Sequence, residues 1–351
     1  MFEEQNAKRT ELSELGEFGL IGHITKNVKI QHPDTICGIG DDAAVINVNG
    51  KQMLVTCDIL AEGVHFDLTY SPLKHLGYKA AVVNISDIAA MNGTPKQMVV
   101  GISVSNRFSV EAIDELYSGI LLACERYKVD LVGGDTTSSR SGLFISVTVI
   151  GEVEKGDVVY RNTAKENNLI CVSGDLGGAY AGLLLLEREK KAFQANPDMQ
   201  PELEGFDYAL ERQLKPEARM DIIRELKAAG IIPTAMIDIS DGLASEILHI
   251  SNDSKTGAVI YEEKIPIDAV VAGIAEEFNI MPAIAALNGG EDYELLFTID
   301  IKDYEKVKEM PGISIIGHIT EEASGVNLMS TSGSLIPIQA QGWNHYSKNE
   351  I

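Results

Sequence analysis

Apolar positions along this chain follow two periods. Some stretches are apolar at every second residue or in short unbroken runs, and others repeat every three to four residues. The first pattern marks strands and the second helices, so a mixed α/β protein is expected. Residues 1–26 are expected to form a short amphipathic helix with a polar start. GIGDDAAVINV and KQMLVTCDIL read as strands, and Asn49-Gly50 between them is a hairpin signal. From Pro72 to Met91, Leu73, Leu76, Ala80, Val83 and Ile88 approximate helical spacing, and Asn92-Gly93 ends the helix. QMVVGISVS reads as a strand, Val110–Tyr127 as a helix, VDLVGGD as a short strand entering a glycine turn, and LFISVTVIGEV as a further strand.

Residues 154–168 are polar and are expected to connect two domains, 1–150 and 151–351, which the length of 351 residues also favours. Beyond them, LICVSGDLGGAYAGLLLLERE gives strand, glycine turn and helix, and 190–207 reads as a polar surface excursion. Helices are expected at about 216–229 and 242–252, with AMIDIS as a strand before the second. NGGEDYELLFTI is a turn leading into a strand, and the tail GWNHYSKNEI carries the single tryptophan.

Charge narrows the function. With 29 Lys+Arg against 52 Asp+Glu, the net charge of −23 repels nucleic acid and anionic lipid, so neither is expected as a partner. The same charge would repel a nucleotide unless metal ions stand between carboxylate and phosphate. The four cysteines form no CxxC pair, which argues against zinc and fits a reducing compartment. No stretch reaches the roughly 18 apolar residues of a membrane span. The N-terminus has no apolar signal-peptide segment, and a cytoplasmic location is expected.

Five segments share a Gly, Asp, Ser or Thr turn at the end of an apolar strand: GIGDDAAV (38–45), TCD (56–58), NISDIAAMNG (84–93), GGDTTSS (133–139) and IDISDG (237–242). A single Asp-bearing turn needs no function, because the side chain bonds nearby backbone N–H groups. Five together supply the hard oxygen ligands that suit Mg²⁺. Successive residues of an extended segment face opposite ways, so one of Asp41 and Asp42 is expected at any one metal. Asp238 and Asp241 can reach one side of a strand-to-helix junction, whose free N–H groups could receive phosphate. The plainer alternative makes Asp241 a helix cap. The chain has no GxxxxGK[ST] loop, kinase GxGxxG or HRD segment, HExxH or GxSxG.

In this order, GIGDDAAV, TCD, GVHF, NISDIAAMNGTP, GGDTT, SGDLG, IDISDG, GGEDYEL and a terminal GWxHY resemble the thiamine-monophosphate kinase family over residues 16–346. The wider superfamily includes aminoimidazole ribonucleotide synthase, selenophosphate synthase and HypE. The resemblance implies a two-domain PurM-like α/β fold, dimeric through its N-terminal domains. It implies ATP as co-substrate held through several Mg²⁺ ions, and phosphorylation of thiamine monophosphate to thiamine diphosphate. By motif it makes Asp42, Thr56, Cys57, Asp58, Asp87, Asp135, Asp238 and Asp241 metal contacts. Gly134, Asp135, Arg161 and Ser240 would contact ATP, and His65, Glu291 and Trp343 would line the acceptor pocket. Cys57 stands where the family often has Thr, and a thiol is a poor Mg²⁺ ligand, so its contact would come from the backbone carbonyl.

No general base is expected, because a phosphate oxygen of the acceptor is already ionised at neutral pH. Two alternatives stand beside this reading. Another superfamily enzyme would need features the chain lacks: a Cys or Sec in residues 1–30 for selenophosphate synthase, or a C-terminal Cys for HypE. A silent nucleotide-binding scaffold would predict decayed aspartates, and all are present.

Overall fold

The computed structural model describes residues 31–48 and 50–340, together with Gly19. The expected N-terminal helix, Asn49 and Trp343 lie outside the described residues. Two sheets organise the rest. The first contains β1 (Thr35–Cys37), β2 (Ala44–Val48), β3 (Lys51–Ala61), β4 (Thr94–Val104), β5 (Asp130–Ser138) and β6 (Phe144–Glu154). Its order is β1-β2-β3-β6-β4-β5, antiparallel throughout except for the parallel β4–β5 pair.

One face of this sheet is covered by α1 (Leu73–Ala90), which also packs on α2 (Val110–Tyr127). The contact between the two helices is close enough to require glycine on both. A Cβ on Gly77 would lie 1.9 Å from the Leu116 carbonyl oxygen, and one on Gly119 would lie 1.8 Å from that of Lys74. Helix α1 is buried nearly all round, because the second half of the chain covers the side that the first sheet and α2 leave open. Such a helix carries apolar residues on more than one face, which is why its spacing in sequence only approximates one stripe.

The second sheet contains β7 (Leu169–Ser173), β8 (Ala235–Asp238), β9 (Gly257–Tyr261), β10 (Leu295–Ile299), β11 (Ile313–Thr320), β12 (Val326–Met329) and β13 (Leu335–Pro337). Its order is β13-β12-β9-β11-β7-β10-β8, with β9–β12 the parallel pair. Around it lie α3 (Gly178–Ala195), α4 (Asp207–Leu214), α5 (Met220–Ala228), α6 (Leu243–Ser254), α7 (Ala269–Glu277), α8 (Pro282–Asn288) and the short α9 (Tyr304–Val307). Cys171, Met236 and Phe297 point into the apolar core that includes α1, while Ile170, Val172, Ile237 and Leu296 point into a second core under α6. The sheet is therefore buried on both faces, which explains the unbroken apolar runs LICV and LLFTI. The architecture is the mixed α/β one expected, here built on two sheets.

Three local readings are corrected. Gly133, Gly134 and Asp135 form no turn but continue β5 to Ser138, because β4 pairs with them in parallel register. Gly134 is needed there for close approach, since a Cβ would lie 1.9 Å from the Val100 carbonyl oxygen. TCD lies inside β3, and NISD lies in the last turns of α1, so neither ends a strand. The polar 190–207 stretch begins as the end of α3, and α4, which the sequence did not suggest, starts at its last residue. Among the described residues no single helix is long and apolar enough to cross a membrane.

Candidate active site

Strand alternation begins the site. Thr56 and Asp58 share the face of β3 that looks onto α1, and Cys57 between them is exposed on the opposite face. Helix α1 then passes Asn84, Ser86 and Asp87 along that face. Thr56 Oγ1 donates to Asp87 Oδ2, and the Asp58 backbone N–H donates to Asn84 Oδ1 at 3.0 Å. From the second half of the chain, β8 ends at Asp238, whose Oδ2 accepts from Ser86 Oγ at 2.6 Å. The turn before β2, α1 and β8 deliver carboxylates to one point, with Asp58 of β3 lining the cavity beside them. Ligand oxygens of Asp42, Asp87 and Asp238 all lie within 4.8 Å of one another.

Like charges this close, largely withdrawn from water, resist ionisation. Burial raises Asp87 well above the carboxylate range, and the negative charges of Asp58, Asp238 and Asp42 add to it. Asp42 is likewise raised, chiefly by burial, against the opposing pull of Arg161. Burial lifts Asp58 to about 6 and Asp238 to about 6. Arg161 enters from the segment joining the two sheets. Its Nη2 donates to Asp42 Oδ1 at 2.6 Å, its Nε lies 3.4 Å from Asp41 Oδ1, and its backbone N–H donates to Asp41 Oδ2 at 3.2 Å. Asp42 Oδ2 is buried without a hydrogen-bond donor among the described residues. An orphaned carboxylate oxygen beside two further aspartates is a donor set that fits a hard divalent cation.

A cavity of about 140 Å³ opens next to the cluster, lined by Asp58, Asp87, Asp238, His65, Ser240 and Glu291 together with Ile59, Leu60, Val83 and Tyr293. His65 Nδ1 accepts the Ala61 backbone N–H at 3.0 Å, which places the proton of a neutral ring on Nε2. The GGED loop is laced to the IDIS strand end: Glu291 N–H donates to the Ser240 carbonyl at 2.6 Å and Tyr293 N–H to that of Ile239 at 2.9 Å. Asp292 turns inward and accepts the Gly177 and Ala179 N–H groups at 2.7 and 3.2 Å, at the start of α3. The SGDLGG and GGED motifs are therefore one joined structure.

Of the residues singled out in sequence, Asp42, Asp58, Asp87, Asp238, Ser240, His65 and Glu291 meet at the cluster or its cavity, and Thr56 and Arg161 bond to its members. Asp241 follows in the turn before α6, whose N-cap position is Gly242, so Asp241 is not the cap. Cys57 and the pair Gly134 and Asp135 lie elsewhere. The Cys57 thiol faces Ser146 Oγ at 3.6 Å, and Gly134 and Asp135 line a depression of about 400 Å³ with Val99, Gly101, Ser146 and Thr148 on the open face of the first sheet.

Sequence reasoning missed Glu246, Lys79 and Gln213. Glu246 is buried in α6, accepts the Asp241 N–H at 3.0 Å, and is raised well above the carboxylate range by burial and by Asp241. Lys79 is buried in α1, where a lysine inside the apolar run GYKAAVV was the available signal. Gln213, in α4, had no motif to mark it.

The N-terminal domain of AIR synthase related proteins matches residues 40–153, and their C-terminal domain matches residues 165–327. A thiamine-monophosphate kinase of Bacillus subtilis (strain 168) is 36% identical over 95% of this chain and 100% of its own length. One of Aquifex aeolicus (strain VF5) is 35% identical over 95% of this chain and 99% of its own. Among solved structures, AaThiL complexed with AMPPCP and TMP superposes with a TM-score of 0.82 at 33% identity, covering 97% of this chain and 100% of that one. Nearly full-length identity of this order, carried on the same fold, means that the chain belongs to the thiamine-monophosphate kinase family.

Proposed function

We propose that the protein transfers the γ-phosphate of ATP directly to thiamine monophosphate, giving thiamine diphosphate. The observation that carries this reading is the convergence of Asp42, Asp87 and Asp238 beside a cavity lined by His65 and Glu291, in a chain without a phosphate-binding lysine loop. The similarity to a kinase structure complexed with AMPPCP and TMP supports it. Asp42, Asp58, Asp87 and Asp238 would hold Mg²⁺, with Thr56 and Asp241 beside them, and Arg161 and Ser240 would meet the nucleotide. Bound Mg²⁺ supplies charge neutralisation between the phosphates and the carboxylates.

The protein's own groups supply position. The carboxylates of Asp87 and Asp238 are fixed by Thr56 and Ser86, and the backbone of Asp58 by Asn84, so little reorganisation is needed as charge develops. The acceptor phosphate is its own nucleophile, and its oxygen is held in line with the leaving group rather than deprotonated. Trp343 is assigned to the acceptor pocket by motif.

Gly134, Asp135 and Cys57 belong to the same proposal in a different place. They lie on the open face of the first sheet, where Ile59 is 60% exposed and Phe144 37%. Exposed apolar side chains on an open sheet face favour a second copy of the chain, so a homodimer through the N-terminal domain, about residues 1–150, is proposed, with 151–351 as the second domain. A cytoplasmic location is part of the same proposal. The test is an assay with ATP, Mg²⁺ and thiamine monophosphate that follows thiamine diphosphate directly. Product that requires both ATP and Mg²⁺ is expected; folded protein that makes none with this acceptor refutes the assignment.

A further inference from the structure

Four carboxylates line the cavity, and they are not equivalent. Asp58, Asp87 and Asp238 pair with no cation among the described residues, whereas Glu291 is already neutralised. Its Oε2 accepts from Lys79 Nζ at 2.8 Å and from Gln213 Nε2 at 2.9 Å. Lys79 is itself buried and gives another bond to the Gln213 carbonyl at 3.0 Å, so α1 and α4 grip one oxygen of Glu291 from two sides. No described group donates to Oε1. The backbone of Glu291 sits at φ 67°, a left-handed conformation that a non-glycine residue holds only when its surroundings impose it.

A carboxylate paired with a buried ammonium is a poor competitor for a metal, and what it retains is direction. We propose that Lys79 and Gln213 are positioning residues that fix Glu291 so that its Oε1 accepts a hydrogen bond from an N–H donor of the phosphoryl acceptor. This rests on the functional reading above. For thiamine monophosphate the donor is the amino group of the pyrimidine ring. Selectivity for an amino-bearing acceptor then depends on a contact made across the seam between the first sheet's helix and the second half of the chain.

The experiment measures kcat and KM of the full-length protein for thiamine monophosphate and for oxythiamine monophosphate, in which a carbonyl replaces that amino group, at saturating ATP and Mg²⁺. Wild type is expected to favour the amino compound. Lys79→Met and Gln213→Leu are expected to raise KM for thiamine monophosphate about 10- to 100-fold. Both should narrow the preference over the oxo analogue, with kcat and the KM for ATP within about twofold of wild type. Gln213→Leu removes a hydrogen bond without stranding a charge, so the test holds if Lys79→Met fails to fold. Unchanged acceptor KM and preference in the variants overturn the positioning role, as does an equal loss toward both acceptors through kcat. A wild-type protein that phosphorylates neither acceptor overturns the functional reading itself, and the positioning proposal with it.

Discussion

Neutralising one member of the carboxylate cluster is expected to abolish catalysis and yet stabilise the metal-free protein. Asp238→Asn keeps the shape and an oxygen to accept from Ser86 Oγ, now 2.6 Å from the carboxylate. Two ionised carboxylates no more than 4.8 Å apart would repel by at least about 3 kcal/mol at an effective dielectric of about 20. Linkage measures the whole penalty: burial first, with smaller contributions from the charges of Asp58 and Asp241, lifts Asp238 from 3.8 to about 6, which corresponds to about 3 kcal/mol. The sign follows from proton binding. The folded state holds this proton more tightly than the unfolded chain, so the penalty is absent below pH about 4, grows through about 6, and is complete above it.

Against this stands the weaker bond from Ser86 to a neutral amide, a loss of about 1 kcal/mol. The net gain of about 2 kcal/mol should raise the melting temperature of the variant by about 3 °C at pH 7.5 in EDTA. The difference should vanish by pH 4.5. Mg²⁺ should then raise the melting temperature of wild type more than that of the variant, because the site loses a ligand. Differential scanning calorimetry in EDTA and in Mg²⁺ at the two pH values reads all of this. A variant less stable than wild type in EDTA at pH 7.5, or equal Mg²⁺ responses, would refute a mutually repelling cation site.

Other outcomes follow from individual contacts. Asp87→Asn should cut turnover at least about 100-fold with the circular dichroism spectrum unchanged, whereas near-normal activity at modest Mg²⁺ would defeat the metal-cluster reading. Gly77→Ala drives a methyl to within 1.9 Å of the Leu116 carbonyl oxygen and should cost about 3 kcal/mol or prevent folding, read by urea denaturation. The Tyr127 hydroxyl donates to Glu217 at 2.5 Å and accepts the Ala218 N–H at 2.9 Å, linking α2 to the second half of the chain. Tyr127→Phe should therefore cost about 1–3 kcal/mol in the same measurement, with the acceptor KM unchanged.

The sequence by itself determined the fold class and the identity of most of the acids. KQMLVTCDIL reads as a strand and the run from Leu73 to Met91 as a helix, and both elements form, although the strand-ending turns read at TCD and NISD do not. These are local consequences of backbone periodicity, so a single chain segment suffices to read them. Glycine was less legible. Gly133-Gly134 reads as a turn in isolation, and only the parallel neighbour β4 makes it a strand that must admit a carbonyl oxygen at close range.

Tertiary structure alone decided which acids meet. Asp42, Asp87 and Asp238 come from a turn, a helix end and a strand end, and their proximity exists only because α1 is sandwiched between the two sheets. The same packing buried Lys79 against Glu291, a pair separated by 212 residues, and placed Asp135 on a different surface from Asp87 although both occupy similar acidic motifs. Charge repulsion, burial and ion pairing depend on distance in space, and periodicity along a chain carries no information about that.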